Sequence, residues 1–171
     1  MSSMSPTIPK VLRNFVAYID GVGYAGKVPE AKLPTLAIKT DDYDAGGLAA
    51  PVPLDTGTME KMDAEVTFAE YNSVVLGLFG NPDASLTLRG AQEDAPNSAE
   101  AIVVSMRGLF QKIDAGSWKK GTQTAAKVAV PLKYLKITIG SVVVVEIDAV
   151  NMKRIINGVD QLASIRTALG M

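Results

Sequence analysis

The stretch Thr122–Asp148, TQTAAKVAVPLKYLKITIGSVVVVEID, decides the fold. It reads as two long strands folded back on Gly140-Ser141, because a two-residue loop with glycine first suits a type II′ turn. Glycine accepts the positive φ there, and the turn's twist matches the flanking strands. The first arm runs for about 18 residues, or about 60 Å if fully extended, against a radius of gyration of about 15–16 Å for a globule of this length. That arm must therefore bend or leave the globule. Val128, Val130, Leu132 and Tyr134 share one face, after which the apolar phase moves to Leu135, Ile137 and Ile139, and a bulge or bend near Tyr134 accounts for the switch. Pro131 has no N–H for a sheet ladder, so it belongs at an edge or an irregularity. The second arm, Val142 to Ile147, begins apolar on both faces, which calls for cover on both sides. One chain has little material left to supply it.

With 171 residues, 47% of them hydrophobic, the chain is long enough for one core and short for two, so a single domain over 1–171 is expected. A net charge of −1 argues against a general nucleic-acid binder. The balance hides an asymmetry. Residues 41–70 hold Asp41, Asp42, Asp44, Asp55, Glu60, Asp63, Glu65 and Glu70 against Lys61 alone, whereas 119–136 holds five lysines and no acid. Such segments can form complementary surfaces. Cysteine and histidine are both absent, which excludes a disulfide framework, the usual structural zinc sites and Ser-His or Cys-His catalysis. No cofactor is expected. The opening MSSMSPTIPK lacks the apolar core of a signal peptide, and the apolar runs Val74–Phe79 and Val142–Val145 are too short to cross a bilayer. The expectation is a chain without a membrane anchor, made and kept in the cytosol.

Taken in order, Val11 to Asp20 reads as a strand closed by Asp20-Gly21, with Val22 to Val28 returning antiparallel and a third strand around Leu36 and Ile38. Asp41 to Thr58, with Gly46-Gly47, Pro51, Pro53 and Gly57, reads as a long irregular segment, which in a small domain points to function or binding. Lys61 to Phe68 is the clearest strand: Met62, Ala64, Val66 and Phe68 alternate with Lys61, Asp63, Glu65 and Thr67, one face buried and one wet. Asn72 or Ser73 caps a short helix through Val74, Val75, Leu78 and Phe79 that closes at Gly80. Leu86 and Leu88 form a short strand, and 92–100 is a polar loop. Ile102, Val104, Met106 and Phe110 share a strand face, with Gly108 as a kink or close approach. Leu162, Ile165 and Leu169 then fall at helical spacing, as an amphipathic C-terminal helix that is either a lid on the core or a peptide for a partner.

Three patterns suggest chemistry. Gly21-Val22-Gly23-Tyr24-Ala25-Gly26 spells the dinucleotide fingerprint, with Asp41 and Asp42 about 20 residues on. Lys27-Val28-Pro29 and Pro34 allow no helix after the third glycine, so a glycine-rich hairpin turn is the better reading. Gly116-Ser117-Trp118-Lys119-Lys120-Gly121-Thr122 resembles a phosphate loop but lacks lysine between its second glycine and threonine, which leaves a solvated connection with Trp118 partly packed. Asp63 and Glu65 share a strand face and could mimic an acid/base pair, but alternating charges usually mark the solvated side of a strand.

The chain also resembles the major tail tube proteins of contractile tails, the family of P2-like phages and R-type pyocin tubes. The resemblance runs through Asn14-Phe15, Asp20-Gly21, Leu33-Pro34, Tyr43 with Ala45-Gly46-Gly47, Ala50-Pro51-Val52, Asp55 with Gly57, Met59-Glu60, Met106-Arg107-Gly108 and Asp114 with Gly116 and Trp118. It is densest in Val145-Glu146-Ile147-Asp148, Asn151-Met152, Asn157-Gly158-Val159-Asp160 and Leu169-Gly170. One departure is Asp44 ahead of Ala45-Gly46-Gly47, where relatives often carry a cation.

The resemblance implies a mainly β fold, an antiparallel sandwich or barrel with a long hairpin, one short internal helix and a C-terminal helix. It implies a structural protein without catalysis, whose homohexameric rings stack into the inner tube of a virion tail assembled in the host cytoplasm. The expected partners are further copies of the chain, the sheath protein, the tape measure protein, the baseplate and the tail terminator, with double-stranded DNA passing during genome ejection and no specific binding. If six subunits share a barrel of about 24 strands at ~4.8 Å and ~40° tilt, its diameter is about 48 Å and its lumen about 38 Å, wide enough for a duplex. On this reading Asp63 and Glu65 face the lumen. The segment with Asp41, Asp42, Tyr43, Asp44, Gly46, Gly47, Pro51, Pro53 and Asp55 reaches another subunit or ring. The alternatives are a tube subunit of a bacteriocin or secretion machine, which shares the ring design, and a soluble β-barrel ligand-binding domain, which would be a discrete particle with a pocket.

Overall fold

A computed structural model describes residues 7–171, so the reading of the first six residues lies outside it. In chain order the elements are β1 (Val11–Ile19), β2 (Val22–Gly23), β3 (Glu30–Lys32), β4 (Ile38–Tyr43), β5 (Val52–Met59), β6 (Met62–Phe68) and α1 (Ser73–Gly77). They continue with β7 (Ala84–Glu93), β8 (Glu100–Gly108), β9 (Lys112–Asp114), β10 (Ala126–Ile139), β11 (Val142–Asp148), β12 (Lys153–Ile156), β13 (Val159–Asp160) and α2 (Ala163–Leu169). Every strand pairing is antiparallel.

The long hairpin is present, and its first arm is the spine. Over Ala126–Leu132, β10 lies between β6 and β9; over Tyr134–Ile139 it lies between β11 and β8. Leu132 touches both sets, pairing with Met62 of β6 and Gly108 of β8. The exchange needs an irregularity. It lies where the apolar phase changes, with the register against β8 slipping between Leu132 and Tyr134. Pro131 sits at the gap between β9 and β8, and its carbonyl accepts the Leu109 N–H at 3.1 Å. Gly108 passes so close that a Cβ there would lie 2.1 Å from that carbonyl oxygen, which explains the glycine. Gly140 has φ +62°, as a type II′ turn requires.

Because β10 changes neighbours along its length, the two halves of one eleven-stranded sheet close their inner faces on one core. Ala17 and Ile19 of β1, Leu86 and Leu88 of β7 and Val104 and Met106 of β8 share it with Met62, Ala64, Val66 and Phe68 of β6. Val128, Val130 and Leu135 of β10 join them, and Tyr24 meets Phe68 edge-on at 5.7 Å. Helix α1 adds Val75, its first turn held by the Asn72 side chain, which accepts from Val74 N–H at 2.9 Å and Val75 N–H at 3.3 Å.

Several expectations are corrected. The segment Asp41–Thr58 is not irregular: β4 and β5 pair as a ribbon, Asp41 opposite Leu54, Asp42 opposite Pro53 and Tyr43 opposite Val52. No apolar alternation announced it because both its faces are largely exposed. The third strand begins at Ile38 rather than Leu36, and the return after Gly21 is only Val22–Gly23. The strand around Leu86 is ten residues long, and Phe110 is buried beyond the end of β8 rather than on it. β10 has 14 residues rather than about 18. In the C-terminal helix Ile165 and Leu169 are exposed, so it is no lid on the core; only Leu162, at its N-terminal boundary, is buried.

Gly108→Ala should destabilise the fold by about 2 kcal/mol or more, since the new methyl must displace the β10 backbone. Gly46→Ala, where nothing lies within 4 Å of an added Cβ, should leave the folded contacts intact. Urea unfolding of the two variants checks this, and equal midpoints would contradict the Gly108 contact.

Candidate functional site

The strands β3, β6, β10 and β9 form a four-stranded wall whose residues pair in continuous rows. One row is Glu30, Thr67, Lys127 and Asp114; the next is Ala31, Val66, Val128 and Ile113; the third is Lys32, Glu65, Ala129 and Lys112. The middle row faces the core, so the flanking rows face outward with Asp63. Asp63 and Glu65 are solvent-facing, as their alternation indicated, and each has a lysine: Lys61 at 3.1 Å and Lys127 at 3.7 Å. Exposed pairs of this kind contribute about 0–1 kcal/mol. No acid/base dyad results. The outward face holds Glu30, Asp63, Glu65 and Asp114 against Lys32, Lys112 and Lys127, a nearly balanced surface.

The β4–β5 ribbon carries the other predicted residues. Asp41, Asp42 and Tyr43 lie on β4, and Pro53 and Asp55 on β5. Asp44, Gly46, Gly47 and Pro51 lie in the tip, where the Leu48 N–H donates to the Ala45 carbonyl at 3.2 Å. Tyr43, Leu48, Val52 and Leu54 are all exposed, so the ribbon presents apolar groups among acids without a core of its own. Its foot is fixed. The Thr56 hydroxyl donates to the Lys39 carbonyl at 2.8 Å, and the Glu60 N–H to the Ala37 carbonyl at 2.8 Å. Across the fold, Arg154 of β12 grips Asp55 at 2.5 Å while remaining only 5% exposed.

Arg154 holds the Asp55 carboxyl below the ordinary carboxylate range, and the Gly57 N–H, donating at 2.8 Å, adds to this. The guanidinium Nε has no partner among the described residues. It borders an open hollow of about 490 Å³ at the ribbon's foot, lined by Met59, Met62, Leu132, Ile147 and Leu162. Sequence reasoning missed Arg154, because a lone arginine on a short strand signals nothing until the fold places it beside Asp55.

On the lysine-rich side the GSWKKG segment is a loop, and Gly116 has φ +67° with a Cβ position 2.8 Å from the Ala125 carbonyl oxygen. Trp118 is 81% exposed rather than partly packed; its indole N–H donates to the Tyr71 hydroxyl at 2.8 Å, and Tyr71 in turn donates to the Ala115 carbonyl. Of the dinucleotide-like glycines, Gly21 has φ +81° in the hairpin turn between β1 and β2, Gly23 lies on β2, and Gly26, with φ +76°, lies in a separate turn beyond it. Among the described residues no group of three acids could hold a metal, and no helix is long and apolar enough to cross a membrane.

This architecture is the one found in contractile injection systems. A chain of the PVC sheath-tube complex of an extracellular contractile injection system, in its extended state, superposes with a TM-score of 0.58 at 8% identity over 76% of this chain and 91% of that one. A second, from the sheath/tube terminator of such a system, gives 0.57 at 9% identity, over 80% of this chain and 99% of that one. At those identities the likeness speaks to the fold.

The chain belongs to the family of phage tail tube protein FII, whose model matches residues 9–170. It is 29% identical to the tail tube protein of Escherichia phage P2, over 96% of this chain and 99% of the relative. It is 32% identical to the major tail tube protein of Serratia phage KSP20, over 84% and 85%. The resemblance read from the sequence is borne out: this is a tail tube protein of contractile phage tails.

A depressed carboxylate pKa contributes stability that is present above the ordinary value and lost as pH falls through the lowered folded value. The tie should therefore be fully present at neutral pH and be lost only in acid, as pH falls below 3.8, the usual aspartate value. NMR of the amides at 52–59 checks this. Asp55→Asn should show the loosened spectrum already at pH 7 and no transition in acid, whereas an unchanged titration would show that the pair does not hold the ribbon.

Proposed function

We propose that this chain forms homohexameric rings that stack into the inner tube of a contractile tail, and that the tube is the conduit for double-stranded DNA. The observation that carries this reading, beyond family membership, is the ribbon: two paired strands exposed on both faces, with Tyr43, Val52 and Leu54 uncovered together on one of them and no core beneath. Such a ribbon leaves unpaired strand edges that are a hazard in a monomer and are covered when another copy meets them. Charge supports the same reading. The ribbon carries Asp41, Asp42 and Asp44, while Lys119 and Lys120 lie in the loop after β9.

In this assembly Asp63 and Glu65 face the lumen. A wall with balanced charges suits a conduit, because each cationic contact with phosphate adds affinity and therefore drag. The role is structural rather than catalytic, and the outer surface meets the sheath protein. The tape measure, baseplate and terminator cap or fill the tube, and assembly takes place in the host cytoplasm. A phage-derived injection machine is the second reading, favoured by the fold likeness to an extracellular contractile injection system. It keeps the ring and changes only what travels through it.

Electron microscopy of the purified chain should show rings or tubes with a channel of about 30–40 Å. Discrete monomers at every concentration would contradict the proposal. Removal of 45–53 should leave a folded subunit that no longer polymerises, and normal tubes from that chain would detach the ribbon from assembly. For the lumen, Asp63→Cys in this cysteine-free chain should react in assembled tubes with a small maleimide while remaining closed to one carried on a bulky protein. Equal labelling by both would place that face outside.

A further inference from the structure

Resting on the reading of stacked rings, we infer that the β4–β5 ribbon of one copy seats on the loop 115–125 of a copy in the next ring, with Trp118, Lys119 and Lys120 as the receiving surface. Placement in the fold is the first support. Both arms of the ribbon leave the wall of β3, β6, β10 and β9 at the same end. The chain runs from Lys32, opposite Glu65, through 33–37 into β4, and returns from β5 through Glu60 and Lys61 to Met62, the first residue of β6. The receiving loop lies at the other end of the wall. It opens after Asp114, opposite Lys127, and closes into Ala126, opposite Phe68, the last residue of β6. Copies that face the same way along one axis therefore set the ribbon end of one toward the loop end of the next, a head-to-tail contact that repeats without closing. The ribbon is free to make it, since β4 is exposed throughout and β5 is exposed from Val52 to Thr56. Its six-residue arm spans about 20 Å.

The two surfaces also match in chemistry. On the ribbon, Tyr43 lies opposite Val52 and Asp41 opposite Leu54, and residues two apart share a face, so these four form an apolar patch that includes one carboxylate. Asp44 follows at the tip. On the loop, the polar atom of the exposed Trp118 is already satisfied: its indole N–H donates to the Tyr71 hydroxyl at 2.8 Å, and Tyr71 donates to the Ala115 carbonyl. What stays uncovered is an apolar ring held in place, the kind of group that anchors an interface. Lys119 and Lys120 follow it in a turn closed by Thr122, whose N–H and hydroxyl both donate to the Lys119 carbonyl, at 3.2 and 2.8 Å. Among the described residues neither lysine has an ion-pair partner, and neither do Asp41, Asp42 and Asp44. An aromatic ring beside two unpaired ammonium groups thus meets an apolar patch beside unpaired carboxylates. Apolar contact supplies the affinity, and charge selects the partner and its orientation.

The experiment assembles the full chain over a range of concentrations and views it by negative-stain electron microscopy. Trp118→Ala should leave single rings intact and raise the concentration at which they stack by about tenfold or more. Lys119→Glu/Lys120→Glu should also give rings without tubes, and adding Asp41→Lys/Asp44→Lys should restore the tubes. In wild-type tubes mixed from unlabelled and heavy-nitrogen chains, carbodiimide should form amide links from Asp41, Asp42 or Asp44 of one copy to Lys119 or Lys120 of another, read by mass spectrometry. Normal tubes from both loop variants, or wild-type tubes that give no such link, would overturn the contact and leave the stacked rings standing. Loss of the rings themselves from subunits that remain folded would place the contact within a ring and overturn it equally. A wild-type chain that forms neither rings nor tubes would overturn both readings.

Discussion

The structure depends on the exchange of neighbours along β10. A strand of 14 residues can serve both halves of one sheet only if it bends, and the bend is built where the β8 register slips beside Pro131, with Gly108 lying against the Pro131 carbonyl. The proline cannot donate there and the glycine leaves room for the backbone to pass. On one side of the bend the chain builds the wall of β3, β6, β10 and β9. On the other it builds the longer sheet through β8, β7 and β1. Both bury their inner faces in a single core, so a subunit this small still holds a sheet whose two ends remain open.

The same economy explains the ribbon. The core is built from β1, β6, β7, β8 and β10, β4 and most of β5 stay outside it, and one buried arginine helps tie their foot to the body. Arg154 reaches Asp55 from a strand about 100 residues further along the chain, so this tie joins segments that are distant in sequence. The surfaces proposed for assembly are thus products of the fold rather than additions to it. They are the parts of a β-sandwich that its own residues cannot finish.

Much of this was legible in the chain itself. The period-two pattern of Met62 to Phe68 gave both the buried and the wet face of β6, and the phase change after Tyr134 located the bend in β10. Gly140, Gly21 and Asn72 announced their turns and cap through chemistry that acts locally. The ribbon was misread because exposed strands carry no alternation, and Asp, Gly and Pro, the residues that signal loops, are tolerated in a hairpin with no core beneath it. Arg154 and the free edges of β3 and β9 were hidden for another reason: they are defined by which strands meet, a long-range property that no local pattern encodes.

Hydrogen exchange compared between isolated subunits and assembled tubes tests most directly whether this chain completes its sheets only with copies of itself. The account predicts that amides in 38–59, 30–32 and 112–114 exchange quickly in the subunit and become strongly protected in the tube, while Leu86, Met106 and Leu135, already in the core, change little. Ribbon and edge amides that are equally protected in the isolated chain, or that stay open after assembly, would contradict it.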